Sequence, residues 1–304
     1  MTIAKKGSKL ASRFCVAGLI YFEVFLPPEV SEIPQGKERF VDDIGVGLGG
    51  ALNPASVASA LGVDTTVAHP SGRGATDAAV RAGLQRLEIS ARTWSVEDDP
   101  AISLVRSTGG DRGFISRALP GALNDCPSLV DFDWIHVPGL KEAGELHRHL
   151  GSARDAGAYV SVAGSWAPER LDELSDYDSS IWDLLILNQA EARRAVTASP
   201  ESSVGLLPPL RCAASDIIIT NGSDPVLAHI DGHLLEVPVR PVERFVDATG
   251  AGDAFGAGYI AGRLSGLNAR RAIEQAAEVA GIVVGLRGGV VQDPTVFEEL
   301  QIHS

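Results

Sequence analysis

In Val246-Asp247-Ala248-Thr249-Gly250-Ala251-Gly252-Asp253-Ala254-Phe255, two glycines stand directly before a helical pattern of small and apolar residues at 251, 254, 255 and 258. Glycine at 250 and 252 lets the backbone turn tightly and come close to a ligand. Unpaired N–H groups at a helix start, with the dipole behind them, attract an anion. Asp253 falls in the first turn, beside whatever anion binds there. That pairing suits phosphoryl transfer. The N–H groups would stabilise the moving charge, while Asp253 accepts the proton of the attacking hydroxyl. Taken alone, the segment also reads as an ordinary helix start with an acidic first turn.

Upstream, short apolar runs alternate with helical patterns. Residues 14–22, 65–68, 134–137, 159–163, 182–187 and 216–220 read as strands that are continuously apolar, as in a sheet covered on both faces. Helices are expected at 54–61, 76–87, 141–156, 189–197, 251–264 and 269–286. This alternation predicts right-handed crossovers, a mostly parallel sheet and a three-layer α/β architecture. About 23–45 and 100–118 the rhythm breaks into strand-like pieces at 39–41, 102–106 and 113–116, with a hairpin turn at Thr108-Gly109-Gly110-Asp111-Arg112. These pieces predict a small β-sheet lid. Residues 226–230 and 233–237 predict a hairpin turning at Asp231-Gly232. With no repeat or low-complexity linker, residues 1–304 read as one domain carrying a lid.

The 304 residues are 45% hydrophobic, enough to fold without disulfides or a structural metal. A net charge of −13 denies the chain the positive field that nucleic acid requires, so no such partner is expected. Cys15, Cys126 and Cys212 form no CxxC and read as reduced thiols. Lys5, Lys6, Lys9 and Arg13 precede the apolar run 14–22 in the manner of a signal peptide. That run stops at Glu23 with no small-x-small cleavage site, and a buried first strand explains it better. No apolar stretch reaches the ~18 residues of a membrane span. A soluble, cytoplasmic protein without a membrane partner is expected.

Residues 247–253 resemble the C-terminal signature of the ribokinase-type (phosphofructokinase-B) carbohydrate kinase family. The resemblance implies a ribokinase-like fold, Asp253 as catalytic base, and Gly250, Ala251 and Gly252 as the anion hole. Gly47-Leu48-Gly49-Gly50-Ala51-Leu52-Asn53, followed by Ala60-Leu61-Gly62, is similar to the family's glycine-rich first signature, with Leu48-Gly49 where two glycines usually stand. It implies that Gly49 and Asn53 line the sugar site. Glu23 takes the place of an aspartate that ends the first strand in relatives and would bind substrate hydroxyls; the alternative is an exposed lid-strand glutamate.

Asn188-Gln189-Ala190-Glu191 resembles the family's Asn-x-x-Glu element, which implies Mg²⁺ reached by Glu191 and Asn188 through water. By itself it reads as a helix N-cap with an acid at N3. Thr220-Asn221-Gly222 resembles the nucleotide-side turn, so that Thr220, Gly222, Asn188, Thr249 and Gly252 would contact ATP; Pro225 stands where relatives often have glycine. Arg112 on the lid matches an arginine that some relatives aim at substrate, and a solvated turn arginine is its alternative. The stretch 162–166 departs from the Asp-Pro-Asn type of sugar kinases, so the sugar need not be theirs. The resemblance runs from about Arg13 to Gly289. It implies an ATP- and Mg²⁺-dependent kinase of a sugar or sugar acid, with a monovalent cation left open and a nucleoside kinase as the alternative.

Other classes fit poorly. Gly45-Val46-Gly47-Leu48-Gly49-Gly50 satisfies GxGxxG, but aspartates precede it and the next strand carries no ribose-binding acid. There is no GxxxxGK[ST] and no GxSxG, and His147 and His149 are spaced to face different sides of a helix. A non-catalytic sugar or nucleoside sensor remains as a different class, disfavoured by an intact Asp253. The open edge of the lid invites a second copy, so a homodimer through the lid is expected.

Overall fold

The computed structural model describes residues 12–298 and 300, except 28, 31, 33, 34, 109, 110, 166, 175–180, 197–201, 243 and 299. The strands of the main sheet are β1 (Phe14–Ala17), β4 (Thr65–Ser71), β5 (Ser90–Ser95), β8 (Trp134–Val137), β9 (Tyr159–Ala163), β10 (Leu184–Asn188), β11 (Asp216–Asn221), β12 (Asp224–Ile230) and β13 (His233–Val237). Their order is β13-β12-β11-β10-β9-β8-β1-β4-β5. All pairs from β11 to β5 are parallel, and the β12–β13 edge is antiparallel.

Alternate residues of the central strands feed two separate cores. Cys15 and Ala17 pack with Leu140, Leu146, Leu150, Ala192 and Leu207 from α3 (Leu140–Glu145), α4 (His147–Asp155), α6 (Gln189–Ala195) and α7 (Leu207–Leu210). Phe14 and Val16 pack with Leu52, Val80, Phe255 and Val279 from α1 (Leu52–Ala60), α2 (Ala75–Arg86), α8 (Ala251–Leu264) and α9 (Ala269–Val283). Each face of the sheet is therefore buried, which is why the strands carry no polar alternation.

A second sheet forms the lid from β2 (Ile20–Leu26), β3 (Gly45–Gly50), β6 (Ala101–Thr108) and β7 (Asp111–Ala118), in the order β3-β2-β6-β7. β2 pairs antiparallel with β3 and parallel with β6. β6 and β7 pair antiparallel with Thr108 opposite Asp111, while Gly109 and Gly110 of the expected turn lie outside the described residues.

The structure corrects several expected elements. The apolar run 14–22 is two strands in two sheets. It leaves the main sheet at Gly18, where a Cβ would stand 3.3 Å from Glu142 Oε1 and from Pro138 Cδ. Residues 39–41 form no strand, and Phe40 is 84% exposed, with no core to support pairing. The lid instead recruits the glycine-rich 45–50, against strand propensity, because its glycines make room for side chains from β2. The helix expected at 141–156 breaks at Leu146; burial of Leu140, Ala143, Leu146 and Leu150 keeps its period through the break, so the pattern could not show it. The edge strand β5 and the short helix α5 (Pro168–Asp172) carried no apolar run. The hairpin at Asp231-Gly232 forms as read, with φ of 52° and 82° at its centre.

Candidate active site

Gly250 takes the N-cap position of α8 at φ 76° and ψ 3°. A side chain there would be strained, and its Cβ would stand 2.5 Å from the Cα of Gly289. Gly252, one turn position on, is exposed, and a Cβ on it would meet nothing within 4 Å. Among the described residues the N–H groups of Gly252 and Asp253 have no acceptor, whereas Ala251 donates to Ala248 O at 3.2 Å. Two amides thus lack a protein partner at the positive end of a 14-residue helix, with open space beside Gly252. Asp247 stiffens the approach: Oδ1 accepts from Thr249 N at 3.0 Å and Oδ2 from Gly288 N at 2.8 Å.

The half-buried Asp253 sits at this opening. Its Oδ2 accepts a hydrogen bond from Asn53 Nδ2 at 2.9 Å. Burial raises its pKa to about 6; the Asn53 bond works against that shift and the nearby Glu191 charge adds to it. Asn53, 7% exposed in the first turn of α1, has a buried Oδ1 with no partner among the described residues. An orphaned acceptor beside a carboxylate is suited to a ligand hydroxyl.

The lid contributes Glu23 from β2. A Cβ at Gly49 would collide with the Glu23 carboxylate, so glycine at 49 is what allows Glu23 to lie across β3. Glu23 is buried rather than the exposed lid residue that the sequence also allowed. β3 runs straight into α1, so Gly49 and Asn53 are placed by one continuous segment.

A further carboxylate was not found from the sequence. Glu142, in the first turn of α3, accepts from Leu19 N at 2.9 Å, and Leu19 O in turn accepts from Ala51 N at 2.9 Å. Burial lifts Glu142 to about 7, opposed by the Leu19 bond and reinforced by the charge of Asp253. Through Leu19 it ties the start of α3 to the root of the lid and to α1. Its only signal was an acid in the first turn of a helix opening behind a glycine, as at Asp253.

On the other flank, Asn188 and Glu191 form a reciprocal capping box. Glu191 N donates to Asn188 Oδ1 at 2.9 Å, and Asn188 N donates to Glu191 Oε2 at 2.9 Å. Asn188 is exposed and stands opposite Thr220 at the C-terminal ends of β10 and β11, with Gly222 in the following turn. Glu191 is 5% exposed and its carboxylate occupies the space a side chain at Gly164 would take. Both side chains carry oxygen acceptors, the donor chemistry that suits an outer-sphere role toward hydrated Mg²⁺. Among the described residues no three His, Cys, Asp or Glu side chains cluster as direct metal ligands. Arg112 lies on β7, but its side chain is outside the described residues.

A three-layer α/β domain with a β lid and a glycine-bounded helix start beside a raised-pKa aspartate defines the class as ribokinase-like. The chain belongs to the pfkB family of carbohydrate kinases, whose model matches residues 31–295. It is 40% identical over 190 residues to the 2-dehydro-3-deoxygluconokinase of Dickeya dadantii, covering 57% of this chain and 60% of that one. It is 29% identical over 201 residues to the fructokinase of Klebsiella pneumoniae, covering 60% and 62%. These matches span about three fifths of the length of those curated relatives. The ribokinase of Cryptococcus neoformans var. grubii, solved in complex with ADP, superposes with a TM-score of 0.77 at 19% identity, covering 96% of this chain and 100% of that chain. That likeness establishes the fold. No helix among the described residues is long and apolar enough to cross a membrane.

Proposed function

We propose that the protein is an ATP- and Mg²⁺-dependent kinase that phosphorylates a hydroxymethyl group of a sugar or sugar acid. The carrying observation is the Asn53–Asp253 pair: a carboxylate poised to take a proton, beside an orphaned amide oxygen and two unpaired helix-end amides. The substrate lies under the lid, its hydroxyls held by Glu23, Asn53 and Glu142, with Gly49 giving Glu23 its place. Arg112 joins from the lid. Asp253 draws the proton from the hydroxyl as its oxygen bonds to the γ-phosphorus and the bond to ADP breaks. In the anion hole of Gly250, Ala251 and Gly252, the unpaired amide of Gly252 meets the migrating phosphoryl group, and Ala251 joins it only by releasing its bond to Ala248 O.

ATP runs along the C-terminal third, against Asn188, Thr220, Gly222 and Thr249, beside a cavity of about 280 Å³ lined by Gln189, Asn221 and Asp224. Glu191 and Asn188 would hold the water shell of a nucleotide-bound Mg²⁺, which would neutralise phosphate charge. Closure of the lid excludes water. The dehydrogluconokinase and fructokinase relatives favour a sugar or sugar acid over a nucleoside. The thiols and the use of ATP suit the cytoplasm.

ADP formation over a panel of pentoses, hexoses, keto-sugar acids and nucleosides tests the reading. Turnover with sugars or sugar acids is expected. Turnover with nucleosides alone would move the assignment to a nucleoside kinase, and ligand-induced melting shifts without ADP would make it a sensor. Repeating the assay with and without K⁺ decides the monovalent cation.

The lid also supports a homodimer. Val46, Leu104 and Ile115 are 66%, 37% and 76% exposed, and cross-strand pairing sets them along one face. Light scattering at micromolar concentration is expected to give twice the chain mass; a monomer alone removes the dimer.

A further inference from the structure

Residues 288–291 cross the site as a strap between its two halves. At one end Gly288 N donates to Asp247 Oδ2 at 2.8 Å, on the loop leading to the anion hole. At the other, Val291 N donates to Ser56 Oγ at 3.0 Å, and that buried hydroxyl donates to Asn53 O at 2.9 Å. Between these anchors Gly289 touches both halves. A Cβ on it would stand 2.7 Å from Asn53 Cγ, 2.8 Å from Oδ1 and 2.9 Å from Nδ2. Its Cα is also what a side chain at Gly250 would strike.

We propose that Gly289 is a positioning residue. Its bare Cα is the surface against which the Asn53 amide rests, and this contact aligns the hydroxyl-binding oxygen of Asn53 with the proton-accepting carboxylate of Asp253. The inference rests on the kinase reading for its catalytic meaning, but the contact itself does not. Any side chain at 289 pushes the amide away and breaks the Asn53–Asp253 bond. The charges that then act on Asp253 are like charges, Glu191 from α6 and Glu142 from α3. The three atoms nearest that Cβ all belong to Asn53, so the substitution acts first on the sugar side of the site.

The test is Gly289→Ala. The acid limb of kcat is expected to move up by about one pH unit, the size of a lost hydrogen bond to a charged group. The KM for the sugar rises about tenfold and the KM for ATP stays within about twofold. Asn53→Ala should give the same shift, and the double variant no more than either single one. A wild-type limb and sugar KM in Gly289→Ala, or additive shifts in the double variant, would overturn the proposal.

Should Gly289→Ala fail to fold by near-ultraviolet circular dichroism, Ser56→Ala decides. It unties Val291 from α1 and is expected to move the limb in the same direction by less; an unmoved limb counts against the strap. If the wild type turns over none of the panel, the kinase reading fails. A carbon-detected NMR titration of the Asp253 carboxyl in wild type and variant then still decides the positioning role.

Discussion

Asn53 and Asp253, 200 residues apart in the chain, meet through one hydrogen bond of 2.9 Å from amide to carboxylate. Each stands in the first turn of its own helix, α1 or α8, and both helices pack on the same face of the sheet. The pair joins the segment that follows the lid to the helix start behind Gly250.

Replacement of Asp253 by asparagine keeps the shape and removes the proton acceptor. The kcat is expected to fall by about 10²–10⁴ while ATP still binds, as read by calorimetry. The same variant is expected to melt higher at pH 8, because a desolvated charge has been removed.

The pH dependence follows from two raised carboxyls. Asp253 must be ionised to accept a proton, and burial places it at about 6 rather than its ordinary 3.8, so activity is expected to fall away through pH 6 on acidification. For stability the sign is opposite. A folded state that binds these protons more tightly than the unfolded chain is favoured below the unfolded values, 3.8 for Asp253 and 4.5 for Glu142. That advantage is lost as pH rises through about 6 and about 7. Melting temperatures across this window check the trend, and Glu142→Gln should flatten its upper part.

Gly49→Ala drives a methyl into the Glu23 carboxylate. The sugar KM is expected to rise about tenfold with the ATP KM unchanged, since a charged hydrogen-bonding group leaves its place. Gly113→Ala on β7 is the control, because a Cβ there meets nothing within 4 Å.

Glu191→Gln retains an acceptor for Asn188 N but removes the charge that helps raise Asp253. The acid limb is expected to move down, and the Mg²⁺ concentration for half-maximal rate to rise. Glu191→Ala also breaks the capping box, costing about 1 kcal/mol, which thermal unfolding would show.

Much of the framework was legible. The strands at 134–137 and 159–163 and the helix at 251–264 fall where apolar patterning put them, because a strand buried on two faces and a helix buried along most of its length leave plain periodicities. The lid was legible only in part. Its pieces at 102–106 and 113–116 lie within β6 and β7, whereas β3 is written in glycine and looks like a loop until the side chains of Phe25 and Glu23 are laid over it. Glu142 carries no motif of its own, and only the hydrogen bond from Leu19 N shows where it points.

What the sequence determined by itself is local: which segments alternate, where a helix starts behind Gly250, and which acid follows it. Those features depend on neighbours within a few positions, and the residue types alone set them. Tertiary structure decided which sheet each half of the run 14–22 joins, that Glu23 is buried over Gly49, and that Gly289 lies between Gly250 and Asn53. Those are contacts between distant parts of the chain, chosen by the room that absent side chains leave, and no periodicity records a missing side chain's neighbour.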